Sequence, residues 1–325
     1  MPLEIEPRPS AADARNSRDG DVPETIVIGL VNNMPDSALA GTESQFRGLL
    51  AAAAGERRVR LRHFSLPEVP RGAGARAAIE ERYWPLDALF ADPPDALIVT
   101  GTEPKTAVLS DEPYWQRLVG LIEFADAHTI SSAWSCLAAH AAVAHLDGIP
   151  RRRLPTKRFG VFEQRVLAEH PLTVGLGAGL LTPHSRWNNV GLDDLHRADY
   201  RVLSASPAGE ADLFCKQRGS LLVFFQGHPE YEERTLLKEY QRDVGRFING
   251  EYREYPEAPP GYFDANGMRL TADFEARLRA GTLAEPLTEF PFLALAASLN
   301  VGWLASAARI YRNWFGEIAR RKSGA

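Results

Sequence analysis

Cys136 lies in the run Ser131-Ser132-Ala133-Trp134-Ser135-Cys136-Leu137-Ala138-Ala139-His140, a small-residue stretch that passes straight into an alanine-rich helical pattern. This places a thiol at a strand-to-helix corner. There it faces the unpaired N–H groups and the positive end of the helix dipole, which favour thiolate. Far downstream, the apolar run Val223-Phe224-Phe225 ends in Gln226-Gly227-His228-Pro229-Glu230. Cys136, His228 and Glu230 together supply a nucleophile, a base and an acid that orients the base. His228 and Glu230 are two apart, so in extended chain they point to one side. Pro229 stiffens the backbone between them. The backbone N–H of Leu137 is a candidate oxyanion donor, and the turn at Gly101-Thr102 offers a second.

The elements that must position these groups are legible in the pattern. Thr25-Ile26-Val27-Ile28-Gly29-Leu30-Val31 and Ala96-Leu97-Ile98-Val99 are continuous apolar runs, expected of strands buried on both faces of a parallel sheet. Thr42 to Ala54 reads as a helix, with Thr42 as N-cap and Gln45 as capping partner. Arg58 to Leu66 reads as a strand, Tyr114 to His128 as an amphipathic helix, and Thr129 to Ser135 as the strand leading to Cys136. From Gly160 to Gln226 short strands dominate, and Thr235 to Ile248 returns to helix. The expected fold is therefore α/β: a mostly parallel sheet flanked by helices, with a C-terminal helical extension. The expected organisation is a disordered leader over 1–23, a catalytic α/β domain over 24–250, and an irregular connector and C-terminal helix over 251–325 that pack on it. The helix is expected over Phe292 to Arg321.

Composition narrows the function. A net charge of −5 gives no reason to expect nucleic acid or an anionic membrane as partner. The clusters Arg151-Arg152-Arg153 and Arg320-Arg321-Lys322 read as solvated surface, with an anionic substrate or coenzyme phosphates as the competing reading. Two cysteines, Cys136 and Cys215, exclude a disulfide framework and suit a reducing, cytoplasmic compartment. Cys215 lies inside an apolar strand and reads as a buried thiol. His140 and His145 read as packing or surface residues. His184-Ser185-Arg186 and Lys157 are candidate substrate contacts, although each alone reads as surface. There is no phosphate-cradling glycine loop and no metal-ligand cluster in the sequence pattern.

Several stretches, taken in order, resemble the homoserine O-acyltransferase family, which has the class I glutamine amidotransferase-like fold. They are Ile28-Gly29-Leu30-Val31-Asn32-Asn33-Met34-Pro35-Asp36, Tyr114-Trp115, Gly148-Ile149-Pro150, Phe159-Gly160-Val161-Phe162-Glu163, Pro183-His184-Ser185-Arg186, Gly227-His228-Pro229-Glu230-Tyr231 and Arg242-Asp243-Val244. The resemblance implies an acyl-thioester on Cys136, proton transfer by His228, and Glu230 as its partner. It implies that Lys157, Ser185 and Arg242 contact an amino-acid substrate. The implied reaction is ping-pong transfer from acyl-CoA, a co-substrate and not a bound cofactor, to homoserine or a related hydroxy-amino acid. A homodimer is also implied. The position that tunes acyl choice in the family aligns with Lys105, whose charge would suit succinyl over acetyl. The chain departs from the family pattern at Leu137, where tryptophan is common, and at His140, where glutamine is usual. A glutamine amidotransferase-type hydrolase using the same triad, and a non-catalytic metabolite-binding member, are the alternatives.

Overall fold

A computed structural model describes residues 3–8 and 25–324. Its centre is an eight-stranded sheet. In chain order the strands and helices are β1 (Leu3–Ile5), β2 (Thr25–Val31), α1 (Leu39–Ala54), β3 (Arg58–Phe64), α2 (Ala73–Arg82), α3 (Leu86–Ala91), β4 (Ala96–Val99), α4 (Trp115–His128), β5 (Ser131–Ser135) and α5 (Leu137–Asp147). Then come β6 (Arg152–Val166), β7 (Gly179–Asn189), α6 (Leu192–Arg197), β8 (Arg201–Val202), β9 (Ser204–Ala205), β10 (Leu213–Gln217), β11 (Leu221–Phe225) and α7 (Thr235–Ile248). The chain closes with α8 (Ala265–Arg279), α9 (Phe292–Ala296) and α10 (Trp303–Lys322).

The spatial order of the large sheet is β1-β3-β2-β4-β5-β11-β10-β8. All pairs from β1 to β11 are parallel, and the two pairs at one edge, β11–β10 and β10–β8, are antiparallel, so β10 alone is reversed. Alternate residues of each strand feed opposite cores, as a period of two requires. Leu97, Val99, Leu222 and Phe224 pack with α3 to α6 on one face. Ile28, Leu30, Ile98, Val223 and Phe225 pack with α1 and α10 on the other. This is the helix-covered parallel sheet that the buried apolar runs required. A second, antiparallel sheet, ordered β7-β6-β9, stands beside it.

Four readings change. Residues 3–8 fall in the expected leader, yet Leu3–Ile5 adds a parallel edge strand to β3, and Glu6 pairs with Arg62 at 2.9 Å; residues 9–24 lie outside the described residues. Helix α1 begins at Leu39 behind Ala38, which makes no side-chain cap, so Thr42 is inside the helix and buried. Gln45 instead donates to Thr235 Oγ1 at 2.9 Å. The expected irregular connector contains α8, capped by Asp264 accepting from Gly267 N–H at 2.8 Å, with Thr271 and Phe274 on its buried face. Asn266-Gly267 reads as a turn in isolation, but the Asp264 cap and the apolar face outweigh one glycine. The single C-terminal helix is two, α9 and α10, separated by residues 297–302.

The C-terminal extension shares a core with the α/β body. Tyr231, Leu236 and Tyr240 pack in one cluster with Tyr262, Phe274 and Trp303. Residues 260 and 261 cross directly over β6: Val161 N–H donates to Pro260 O at 2.9 Å, and Gly261, at φ 71°, leaves no room for a Cβ beside Val161 O.

Candidate active site

Active sites of open parallel sheets gather at the carboxyl ends of the strands. Three adjacent strands end here at one level. In the register, Val99 of β4 lies beside Trp134 of β5, and Ser135 of β5 lies beside Phe225 of β11. Gly101, Cys136 and His228 each follow within three residues of those strand ends.

Cys136 is the N-cap residue of α5 and has φ 51° and ψ −109°. Positive φ is uncommon for a residue with a side chain and marks a strained turn. The turn is held by Cys136 N–H donating to Phe225 O at 2.8 Å and His140 N–H donating to Cys136 O at 3.1 Å. The thiol is partly exposed. Gly101 abuts the first turn of α5, and a Cβ there would come within 2.5 Å of Leu137 Cβ and 3.1 Å of Leu137 N. Glycine is thus required for the turn to approach the helix N–H groups, which have no intrahelical acceptor. Asn33 braces this turn: its N–H donates to Thr100 Oγ1 at 2.8 Å and its Nδ2 to Thr100 O at 3.2 Å.

His228 is buried, with Cys136 within electrostatic reach on one side. On the other its Nδ1 lies 2.7 Å from Glu230 Oε1, which also accepts from Ser135 Oγ at 3.4 Å. Burial opposes a charged ring, but the charges of Glu230 and Cys136 outweigh it and hold the His228 pKa well above the ordinary histidine value. The ring stacks on Tyr231, with centroids 4.4 Å apart. The sulfur, ring and carboxylate expected from sequence are therefore neighbours, with the ring and carboxylate in direct contact.

The predicted substrate residues also converge. Lys157 Nζ donates to Asp243 Oδ2 at 3.1 Å and sits over the Phe159 ring. Arg242 Nε donates to Asp243 Oδ1 at 3.1 Å, and Ser185 Oγ donates to Glu239 Oε2 at 2.7 Å. Tyr231 Oη donates to Glu239 Oε1 at 2.7 Å. Glu239 and Asp243 were not singled out from sequence. They are four apart on α7 with Arg242 beside them, a charged stripe that reads as a solvated helix face. Lys105 is exposed, and its backbone N–H donates to Glu112 Oε1 at 2.6 Å.

Sequence reasoning also missed Asp212. It is buried and accepts from Gly227 N–H at 3.0 Å and Thr182 Oγ1 at 2.9 Å, pinning the peptide before His228. Arg186 donates from Nε to His184 Nδ1 at 3.1 Å, which leaves the other His184 nitrogen to face Asp212 Oδ1 at 3.5 Å. Burial drives His184 well below the ordinary histidine value, so it is neutral. His140 is a packing residue, as expected: its Nε2 meets Gln226 Oε1 at 3.0 Å, and burial lowers its pKa to about 3. His145 pairs with Glu123 at 2.6 Å near the surface. Cys215 is buried, and that burial pushes its thiol up to about 11. Among the described residues no group of acidic, histidine or cysteine side chains is arranged to hold a metal ion, and no helix is long and apolar enough to cross a membrane.

Comparison with known proteins identifies the family. The family model described as homoserine O-succinyltransferase matches residues 10–323. The chain belongs to the homoserine O-succinyltransferase family. Relatives in it include a protein of Rhodopseudomonas palustris, 45% identical over 90% of this chain and 88% of the relative. Another, of Methylorubrum extorquens, is 44% identical over 92% of this chain and 89% of its own. A third, of Bradyrhizobium japonicum, is 42% identical over 96% and 95%. All three carry the name homoserine O-succinyltransferase. The crystal structure of a glutamine amidotransferase from Methylobacillus flagellatus aligns over 90% of this chain and 95% of that one, with a TM-score of 0.50 and 14% identity. That likeness supports the fold alone. The family membership makes the chain an acyltransferase and bears out the expected family and fold class.

Proposed function

We propose that this chain transfers a succinyl group from succinyl-CoA to the hydroxyl of homoserine through a thioester on Cys136. The observation that carries the reading is the His228–Glu230 pair within electrostatic reach of Cys136, beside a cluster of charged side chains. The resting site holds a proton on His228, so the sulfur faces a cation. The Cys136 thiolate attacks the thioester carbonyl. The developing oxyanion lies against the N–H groups of Leu137 and Gly101. The bond to the CoA sulfur breaks, and His228 gives that sulfur its proton. Neutral His228 then takes the proton of the homoserine hydroxyl, whose oxygen attacks the acyl carbon. Collapse of the second tetrahedral intermediate releases the ester and restores thiolate and imidazolium. Glu230 holds the ring throughout.

The clamp suits a zwitterion. Lys157 and Arg242 are cations for its carboxylate, Glu239 and Asp243 are anions for its ammonium, and Ser185 adds a hydroxyl. In the free site these groups pair with one another. Substrate would exchange those pairs for its own. Lys105, exposed on the loop after Gly101, is retained as an acyl-specificity candidate. The reading carries with it a cytoplasmic location, which free Cys136 and Cys215 suit, and a homodimer.

The test is intact-protein mass spectrometry after mixing with succinyl-CoA. One succinyl increment on the peptide carrying Cys136, discharged by homoserine and not by serine, is the expected result. Release of ammonia from glutamine without acyl uptake would overturn it in favour of a hydrolase.

A further inference from the structure

The segment that leaves β11 toward the His228 ring is held amide by amide. Gln226 N–H donates to Asp212 O at 2.9 Å, Gly227 N–H to Asp212 Oδ1 at 3.0 Å, and His228 N–H to Pro183 O at 2.8 Å. The other carboxylate oxygen, Asp212 Oδ2, accepts from Thr182 Oγ1 at 2.9 Å, on the residue just before Pro183. One buried side chain therefore ties the peptide before His228 to the strand that receives the His228 N–H. Gly227 makes the approach possible: a Cβ there would lie 2.4 Å from Thr182 Cγ2 and 2.8 Å from Asp212 Oδ1. Behind the carboxylate, His184 Nε2 lies 3.5 Å from Asp212 Oδ1 and 3.3 Å from the Gln164 amide. Arg186 fixes that ring through Nε to His184 Nδ1 at 3.1 Å, and is itself held by Asn188 O at 2.6 Å and Asn189 Oδ1 at 3.0 Å.

We propose that Asp212 is the positioning residue for His228, acting through the Gly227 peptide in both halves of the reaction. The inference rests on the acyl-transfer reading and deepens it by naming what sets the height of the base. Glu230 cannot do this alone. It is two residues from His228 on the same turn, so it orients the ring but moves with it, and its bond from Ser135 Oγ is long at 3.4 Å. Asp212 belongs to a different part of the chain, anchored by its own N–H to Ser204 O at 2.9 Å. Taking a carboxylate out of water is costly, and a neutral acceptor would suffice to close a turn. A charged acceptor makes the shorter, stronger bonds that hold a peptide in one place. Burial raises the Asp212 pKa, against the pull of the Thr182 and Gly227 bonds.

The test compares Asp212→Asn, which keeps an acceptor toward Gly227, with Asp212→Ala, which removes it. Single-turnover acylation by succinyl-CoA and discharge by homoserine are measured separately. Asp212→Asn should slow both steps by about tenfold, the size of one hydrogen bond to a charged group. Asp212→Ala should slow both by about 10²-fold, the scale of a small misplacement of a reacting group. The homoserine KM should stay within about twofold, because the substrate contacts do not touch Asp212. Unchanged rates in a folded Asp212→Asn, a loss confined to the homoserine KM, or an Asn variant no faster than the Ala variant overturns the proposal. Should the unaltered protein take up no succinyl group, the acyl-transfer reading fails by itself. Alkylation of Cys136 by iodoacetamide needs no acyl donor and then decides the placement of His228: a slower rate in Asp212→Asn supports it, and an unchanged rate overturns it.

Discussion

The backbone N–H of Cys136 donates to the carbonyl of Phe225 at 2.8 Å, tying the turn at Cys136 to the last residue of the strand that precedes His228. Because β5 and β11 are parallel neighbours in register, the corners carrying Cys136 and His228 leave the sheet at one height. No side-chain search is needed to bring them together. Backbone geometry does it, and several expectations follow from this arrangement.

Cys136→Ala should fold, since the residue is partly exposed and its backbone bonds remain. It should take up no acyl group from succinyl-CoA. Turnover should fall by at least about a thousandfold, as for other nucleophile deletions. Circular dichroism alongside intact mass spectrometry checks both statements. Acylation persisting in this variant would place the nucleophile elsewhere.

Glu230→Gln should lower kcat by roughly 10²–10⁴-fold with a much smaller change in KM. The amide removes the charge that helps to hold the His228 proton against burial. The variant should therefore also shift the pH profile of acylation. Steady-state kinetics across pH decides this, and an unmoved profile would count against Glu230 as the partner of His228.

Gly101→Ala places a methyl 2.5 Å from Leu137 Cβ and 3.1 Å from Leu137 N. The turn must retreat from the helix N-terminus. Loss of one oxyanion donor typically costs about 10²–10³-fold in kcat. Single-turnover acylation should show this loss before any change in homoserine KM appears.

Glu239→Gln leaves Ser185 and Tyr231 with a weaker acceptor and removes an anion facing Lys157 and Arg242. The effect should fall on the second half-reaction. The homoserine KM should rise by about tenfold or more, the scale of one charged hydrogen bond, while Cys136 acylation proceeds. Separate measurement of acylation and deacylation distinguishes this from general damage.

Stability should fall in mild acid. The folded His140 pKa is about 3, far below the unfolded value near 6.5. The unfolded chain therefore binds a proton that the folded chain refuses. This contribution is complete above pH 6.5 and is lost as pH falls toward 3. His184, also lowered by burial, acts in the same direction. His228 has the opposite sign: its raised folded pKa stabilises below the unfolded value, and that stabilisation is lost as pH rises through the folded one. Replacing His140 with Gln removes one acid-sensitive group. The stability gap between the two proteins should narrow by about 2 kcal/mol between pH 6.5 and 5. Chemical denaturation at the two pH values measures it, and a constant gap would contradict the assignment.

Much of the molecule was written in local pattern. Continuous apolar runs such as Thr25–Val31 and Ala96–Val99 can be buried only in a sheet covered on both faces, and they are. A small-residue strand passing into an alanine-rich helix makes a corner at Cys136 wherever the rest of the chain goes. Residues two apart across a proline, His228 and Glu230, need no long-range partner to meet. What the tertiary structure decided is which remote pieces share a space. Strand order set β5 between β4 and β11, and that order brings the turns carrying Gly101, Cys136 and His228 side by side. Glu239 and Asp243 look like a solvated helix stripe until α7 is laid across β6 and β7, where Lys157 and Ser185 claim them. Asp212 is invisible in sequence for the same reason. A buried polar group is defined by the partner it has or lacks, and partners tens of residues apart are assigned only when the chain packs.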